Sequence, residues 1–420
     1  MAKSCGLSVC MIVKNEEANI AGALAGFTSF ADEIIVVDTG SSDNTKEIAA
    51  GFTSKIYDFE WIDDFSAARN FAASKAAKGY QLWVDADDRI PPEARGHIGS
   101  LKSYFDGRKA FYFRLETLLP NAPASTCMQL RCIPVRGDVR FEGRVHEQIF
   151  PSAIRAGLEL VTTDIVVRHL GYTTVEVQTA KALRNLAIME KEKAEGRDDG
   201  ALNFFLAMTY GPLGKHEEAA RSMEAALRHF EKERFNNHLV PEGRLFLAKL
   251  AFEMKDREKC LRYLARARDL TDGNPHHNFE MGIICQRMGR HHEALEFFGK
   301  VSRKQYAPSL FPTKPPPSDS ELLLHMAYSF HCISDYQNAL KAVLASAGPA
   351  NDVGRSWVWL GTKAFLFENM QLAALAYETA MGYGALDPAG LRRLGYIYKA
   401  GGFPQKAQEC FARAGGEAVV

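Results

Sequence analysis

From residue 6 to about residue 120, short apolar runs alternate with amphipathic stretches. Leu7–Val13 is followed by the amphipathic Glu17–Phe27, then by Glu33–Val37, Thr45–Phe52, Lys55–Tyr57, Phe65–Ala77 and Tyr80–Val84. Apolar strands alternating with helices of roughly ten residues predict βαβ units and a parallel sheet. Ligands of such sheets bind beyond the carboxyl ends of the strands. That rule points to Lys14–Glu17 after the first strand, Asp38–Asp43 after the second and Asp85–Asp88 after the fourth. Across residues 110–170 the pattern predicts shorter, more irregular strands, Ala110–Leu115, Met128–Ile133 and Ile165–His169, extending or flanking the sheet.

After about residue 175 the strand pattern stops and the chain reads as helical. A Leu or Met precedes a small residue, an aromatic often follows three positions on, and Ala or Cys follows twelve on. The pattern falls at Leu206-Ala207, Leu247-Ala248, Met281-Gly282, Met326-Ala327, Leu360-Gly361 and Leu394-Gly395. The small residues are 41, 34, 45, 34 and 34 positions apart, and 34 is the tetratricopeptide period. The longest interval contains Pro308, Pro312, Pro315, Pro316 and Pro317, an insertion that cannot be helical. Small residues at these positions let the two helices of a hairpin approach closely, and the next repeat buries the remaining apolar face. The segment resembles about six tetratricopeptide (TPR) repeats over roughly residues 200–415. The expected organisation is an α/β domain over residues 1–175, a helical linker over 176–199 and a repeat domain over 200–420.

Composition narrows the functional classes. Over 420 residues, 46% are hydrophobic and 24% charged, a globular composition with enough apolar surface for a sizeable core. Lys+Arg and Asp+Glu each number 51, so no overall basic field exists to hold nucleic acid or an anionic membrane. Leu7–Val13 is too short for a signal core or a membrane span, and mean hydropathy is −0.20. The eight cysteines are scattered without paired spacing, so neither a disulfide framework nor a zinc site is expected. The chain reads as a cytoplasmic protein with reduced thiols.

The chemistry concentrates at the strand ends. In Leu82-Trp83-Val84-Asp85-Ala86-Asp87-Asp88 an apolar strand ends in three carboxylates. Such groups repel one another and raise each other's pKa unless a cation neutralises them. Oxygen ligands of this kind suit Mg²⁺ or Mn²⁺, whereas the plain alternative is a solvated acidic turn. The second strand runs through Asp38 into Thr39-Gly40-Ser41-Ser42-Asp43-Asn44-Thr45. Helix capping accounts for Ser42–Thr45 but not for a carboxylate directly on an apolar strand end. Lys14-Asn15-Glu16-Glu17 fits either a helix start or a ligand-facing loop.

Four ordered segments, residues 7–17, residues 31–45, Ala68-Arg69-Asn70-Phe71-Ala72 and residues 82–88, resemble a family-2 glycosyltransferase. Within that family they resemble the branch of lipopolysaccharide-core β-glucosyltransferases and bacteriocin peptide S-glycosyltransferases. The resemblance covers about residues 6–172 and implies a GT-A fold, a Rossmann-like mixed sheet, ahead of an all-α TPR superhelix. It also implies a nucleotide-sugar donor, commonly UDP-glucose or UDP-N-acetylglucosamine, and a D-x-D metal site. Position by position, it assigns Asp38 to the nucleobase and Val13, Asn15 and Glu16 to the nucleotide pocket. Arg69 would approach the base or diphosphate, Asp85 the ribose or metal-bound water, and Asp87 would ligate Mn²⁺ or Mg²⁺. Two departures are Thr39, where many members have a second Asp, and Asp88, where this branch more often has Glu.

Met128-Gln129-Leu130-Arg131 and the run from Arg140 to Gln148 resemble the branch's L-R and G-x-V-H-E motifs. An inverting transfer needs one base for the acceptor proton, and Glu147 is the candidate. The alternative is that His146 and Glu147 only hold their loop together. Arg131 would pair with the diphosphate. His169 matches the branch's closing H-x-G-Y and is either a further metal ligand or structural. The repeats would then recruit a protein or peptide acceptor, with self-association into a homodimer as the weaker alternative. Two competing readings are a TPR interaction protein with a degenerate donor domain and a lipopolysaccharide-core transferase. A nucleotidyltransferase is disfavoured, because no Gly-rich, Lys-ended loop follows the first strand.

Overall fold

The computed structural model describes residues 4–119, 122–170, 175–232, 239–268, 274–301, 317–347 and 352–416. Gly171 and Tyr172 of the closing motif and Pro308–Pro316 of the insertion lie outside the described residues. The chain forms two compact units, one on Met1–Leu250 with Ala307–Pro315, the other on Ala251–Tyr306 with Pro316–Val420.

The first unit is built on a mixed sheet of β1 (Ser4–Val13), β2 (Glu33–Asp38), β3 (Ile56–Asp58), β4 (Lys78–Val84), β5 (Asp88–Arg89), β6 (Lys109–Leu119), β7 (Ala122–Pro134) and β8 (Glu159–Leu170). Spatial order is β3-β2-β1-β4-β7-β6-β8-β5. β1, β2, β3 and β4 are mutually parallel, and β7 then joins β4 antiparallel. The chain order therefore reverses at β1, which lies between β2 and β4, and a ligand crevice is expected at such a switch point. From Leu7 to Val13, β1 is apolar except for the buried Ser8, because both of its faces are covered. Leu7, Val9, Met11 and Val13 enter the main core, while Cys10 packs with Ile35, Val37 and Ala72 on the opposite side. Helices α1 (Ile20–Phe27), α2 (Thr45–Ala50), α3 (Phe65–Lys75), α4 (Pro92–Leu101) and α5 (Phe150–Arg155) cover the sheet and its loops.

The strands beyond residue 109 are longer than the apolar pattern predicts. β6, β7 and β8 run 11, 13 and 12 residues, where the sequence suggests short, irregular pieces. Polar positions such as Arg114 and Glu116 interrupt the apolar run, yet they pair in register with Met128 and Thr126 across the β6–β7 hairpin. Backbone pairing extends the strands where side-chain pattern does not.

α6 (Val175–Ala194), α7 (Gly200–Tyr210), α8 (His216–Phe230) and most of α9 (Val240–Glu253) belong to the sheet's unit. Val145 packs in one cluster with Leu186, Ile188 and Met189 of α6 and Leu202 and Leu206 of α7. The second unit holds α10 (Arg257–Arg268), α11 (Pro275–Arg287), α12 (His291–Gly299), α13 (Asp319–Cys332), α14 (Tyr336–Ser346), α15 (Val353–Leu366), α16 (Met370–Gly382), α17 (Pro388–Ala400) and α18 (Pro404–Arg413). No helix among the described residues is long and apolar enough to cross a membrane.

The recurring small residues do what their spacing implies. A β-carbon on Gly282 would lie 2.4 Å from the Phe298 ring, on Gly361 2.7 Å from Tyr377, and on Gly395 2.6 Å from Phe411. Each glycine thus seats the aromatic of the partner helix in its own hairpin. Gly282→Val should lower stability by about 1–3 kcal/mol, the usual cost of overpacking a close contact, as read by chemical denaturation. Unchanged stability would mean that the hairpin tolerates separation.

Candidate active site

The loops after β1 and β2 are stitched together by short polar side chains. Asn15 takes a left-handed backbone (φ 55°), and its Oδ1 accepts from the Ser42 amide at 2.8 Å. The Glu16 amide donates to Thr45 Oγ1 at 2.7 Å, and the Glu16 carboxylate accepts from Asn19 at 2.9 Å. Val13 is buried, and its carbonyl accepts from the Thr39 hydroxyl at 3.0 Å. Thr39 therefore has a structural use at the position where a second Asp is common. Asp38 is 2% exposed, and its Oδ1 accepts from the Gly40 and Ser41 amides at 2.9 and 2.8 Å. Its Oδ2 is buried without a hydrogen-bond partner among the described residues. An unpaired buried carboxylate oxygen is costly unless a ligand donor meets it.

Register places the third loop beside these two. Val13 lies opposite Asp38, and Met11 opposite Val84 on the other side. Asp38 and Asp85 are therefore two strands apart, roughly 10 Å. One ligand atom each from Asp85, Asp87, Asp88 and His169 lies within 4.8 Å of the others. Antiparallel pairing of β5 with β8 creates this cluster by setting Asp88 opposite His169. His169 Nδ1 is 3.1 Å from Asp88 Oδ1 and 3.4 Å from Asp87 Oδ1.

The acids occupy different electrostatic settings. Burial opposes the charge on Asp85, but the Arg69 and Arg131 guanidiniums outweigh it and hold the carboxyl at about 2. Burial pushes the Asp87 carboxyl up to about 6, with His169 opposing and the charges of Asp85 and Asp88 adding to the rise. Burial also works against a charged His169, yet its bond to Asp88 and the surrounding carboxylates raise its pKa. Asp88 is fully buried and accepts from Arg131 NH1 at 2.8 Å and from the Asp85 amide at 2.9 Å. It thus braces the loop from inside.

Arg131, the residue expected at the diphosphate, lies in the interior. Only 1% exposed, it is committed to Asp88, to Gln129 Oε1 at 2.8 Å and to the Trp83 ring, 3.8 Å from its centroid. Arg69 reaches the acidic loop from α3. Its NH2 donates to Asp85 Oδ1 at 2.8 Å and its Nε to Glu147 Oε1 at 2.5 Å. Arg69 also lies 4.6 Å from the Trp83 centroid, so Trp83 carries both guanidiniums. Sequence reasoning missed this role for Trp83, because nothing local distinguishes it from a core aromatic. Arg131→Met should cost about 3–5 kcal/mol by stripping the guanidinium from fully buried Asp88, which keeps only the Asp85 amide and His169. Denaturation curves measure this, and a loss below about 1 kcal/mol would mean that Asp88 has other compensation.

The segment containing Glu147 is pinned to α3. Asn70 Nδ2 donates to the Phe141 carbonyl at 3.0 Å, and Asn70 Oδ1 accepts from the Phe141 amide at 2.9 Å. Glu142 and Gln148 exchange backbone bonds of 2.9 and 3.0 Å, closing the loop. Within it His146 takes a left-handed backbone (φ 53°) and stacks on Phe205 of α7 at 4.2 Å. The structure therefore gathers Arg69, Asp85, Asp87, Arg131, Glu147 and His169 into connected contacts, with Val13, Asn15, Glu16 and Asp38 at the neighbouring strand ends.

Comparisons with known proteins agree with this layout. Residues 8–98 match the glycosyl transferase family 2 model, and residues 201–228 match a tetratricopeptide repeat. A TPR repeat-containing protein of Synechococcus elongatus is 35% identical over 190 residues, 42% of this chain and 46% of the relative. The SPbeta prophage-derived glycosyltransferase SunS of Bacillus subtilis is 26% identical over 246 residues, 56% of each chain. The chain spans about half the length of these relatives. Among solved structures, S. aureus TarS 1-349 in complex with UDP-GlcNAc is 14% identical with a TM-score of 0.40, covering 63% of this chain and 92% of that one. The chain carries a family-2 glycosyltransferase domain followed by tetratricopeptide repeats.

Proposed function

We propose that the protein is a metal-dependent, inverting glycosyltransferase that moves a sugar from a nucleotide-sugar donor, a UDP-sugar, to a protein or peptide acceptor. The observation that carries this reading is the meeting of Asp85, Asp87, Asp88 and His169 two strands from the unpartnered Asp38 Oδ2. The residues fit a divalent cation, because Asp87 sits in a repulsive acidic cluster that a cation would relieve. Asp87, Asp85 and His169 would hold Mn²⁺ or Mg²⁺, with Asp88 turned inward to Arg131. When bound, such an ion neutralises charge on the diphosphate as the nucleotide leaves.

The chain's own groups divide the remaining work. Asp38 Oδ2 accepts an N–H of the base, and Val13, Asn15 and Glu16 line the nucleotide's end of the crevice. Glu147 takes the proton as the acceptor's oxygen or sulfur bonds to the anomeric carbon and the bond to the diphosphate oxygen breaks. The electron pair of that bond leaves with the nucleoside diphosphate. Arg69 bridges Glu147 and Asp85, fixing the base against the donor site, and Arg131 sets the acidic loop through Asp88. Both are positioning residues.

The test is a donor screen on the full chain. UDP-glucose or UDP-N-acetylglucosamine should raise the melting temperature with Mn²⁺ present, since ligand binding stabilises by mass action, and should be slowly hydrolysed. If no nucleotide sugar is bound or hydrolysed with Mn²⁺ or Mg²⁺, the domain is a degenerate binder and the repeats are the working part.

A further inference from the structure

Beside Glu147 the first unit forms an open cavity of about 410 Å³. The sheet contributes Trp83, Tyr112, Met128 and Leu130, the base loop contributes His146–Phe150, and α7 contributes Phe205, Met208 and Thr209. We propose that this cavity is the acceptor pocket and that it selects a peptide with a large apolar residue next to the sugar-accepting Ser, Thr or Cys. The proposal rests on the glycosyltransferase reading above, and its covalent step is the one given there.

Away from Glu147 and its two flanking glutamines, polar groups of the lining are already engaged. Gln129 Oε1 already accepts from Arg131, Thr209 donates its hydroxyl to the Phe205 carbonyl at 2.8 Å, and Trp83 Nε1 donates to the Leu130 carbonyl at 2.7 Å. A sugar acceptor presents hydroxyls on every side, and each buried one needs a partner. The aromatic and aliphatic walls of this pocket supply none to the hydroxyls that would face them. An apolar side chain asks for none and fills the space between the aromatic walls.

A peptide is favoured over a lipid by the polar groups at the same site. The side-chain amides of Gln129 and Gln148 flank Glu147 in the lining, and a peptide backbone offers a donor and an acceptor at each residue to meet them. An alkyl chain would leave both amides unmet. From residue 201 on, α7 falls in the segment 201–228 that matches a tetratricopeptide repeat. The first repeat helix is therefore a wall of the pocket as well as part of a recognition array. Phe205 ties that wall to the base loop through its stack on His146, which makes Phe205 and Met208 specificity-determining positions.

The experiment uses the full chain with Mn²⁺, UDP-glucose and UDP-N-acetylglucosamine. The acceptors are synthetic peptides Gly-Ala-X-Ser-Gly, with Thr and Cys counterparts, where X is Gly, Asp, Leu, Phe or Trp. Transfer is followed by mass spectrometry. The expected kcat/KM for Leu or Phe at X exceeds that for Gly or Asp by about 10-fold or more, the usual worth of filling an apolar pocket. Met208→Trp fills the cavity and should erase that preference through KM, whereas Phe205→Ala enlarges it and should shift the preference toward Trp. The melting-temperature rise with UDP and Mn²⁺ serves as the fold check for each variant. Indifference to X, a preference unmoved in both variants, transfer to an alkyl glycoside ahead of every peptide, or no transfer to any peptide would each overturn the pocket assignment. Absence of nucleotide binding in the unmodified chain would instead remove the reading beneath it, and the pocket assignment with it.

Discussion

Asp87→Ala is expected to abolish sugar transfer and the Mn²⁺-dependent rise in melting temperature while leaving the fold intact. Asp85, Asp88 and His169 converge on Asp87, but only Asp87 lacks a guanidinium partner, and burial drives its carboxyl up to about 6. Asp85 is held by Arg69 and Arg131, and Asp88 by Arg131. Removing Asp87 therefore relieves repulsion among the remaining acids, and the one ion pair it loses, to His169 at 3.4 Å, leaves His169 still paired with Asp88. In the absence of metal the variant should be at least as stable as the parent. The lost cation contributes several kcal/mol of charge stabilisation to the transition state, so transfer should fall by at least about 10³-fold. Normal activity that still depends on Mn²⁺ would place the metal elsewhere, and a collapse of stability without metal would make Asp87 a structural residue.

The positions that meet at the strand ends were legible in the sequence because strand-then-helix alternation has few topological solutions. Asp38 and Asp85 follow directly from where their apolar runs stop, and parallel order about β1 brings the two loops together. The repeat helices were legible for a different reason. A hairpin needs a small residue wherever an aromatic crosses it, so Gly282, Gly361 and Gly395 recur with the repeat. The contacts that were not legible are those made by pairing at long separation. Asp88 meets His169 through a two-residue strand, β5, that has no apolar signature of its own. Burial of Arg131 beneath Trp83 likewise depends on β7 joining β4 antiparallel, and a bidentate cation in a sequence reads equally well as a phosphate ligand. The His146–Phe205 stack needs α7 to lie against a loop about sixty residues earlier in the chain, which no local pattern specifies.

Glu147→Gln should preserve donor binding yet lower turnover by roughly 10²–10⁴-fold, the usual worth of a general base. The substitution is chosen to separate basicity from geometry. Glu147 accepts from Arg69 Nε, and the same guanidinium holds Asp85. Shortening or deleting the side chain would free Arg69 and disturb the metal-side acid as well. The amide oxygen of Gln can still accept from Arg69, and Glu142 and Gln148 still close the loop through backbone bonds. What disappears is the ability to take a proton. If Glu147 only holds the loop, this near-isosteric change leaves turnover at saturating acceptor unchanged. If Glu147 is the base, kcat falls while the UDP- and Mn²⁺-dependent melting shift stays at the parent's value. Glu147→Asp discriminates further, since it keeps the basic group but draws it back from the acceptor. Turnover should then fall between the parent and the Gln variant. A Gln variant more active than the Asp variant would show that reach to Arg69, and not proton transfer, is what the reaction needs from this position.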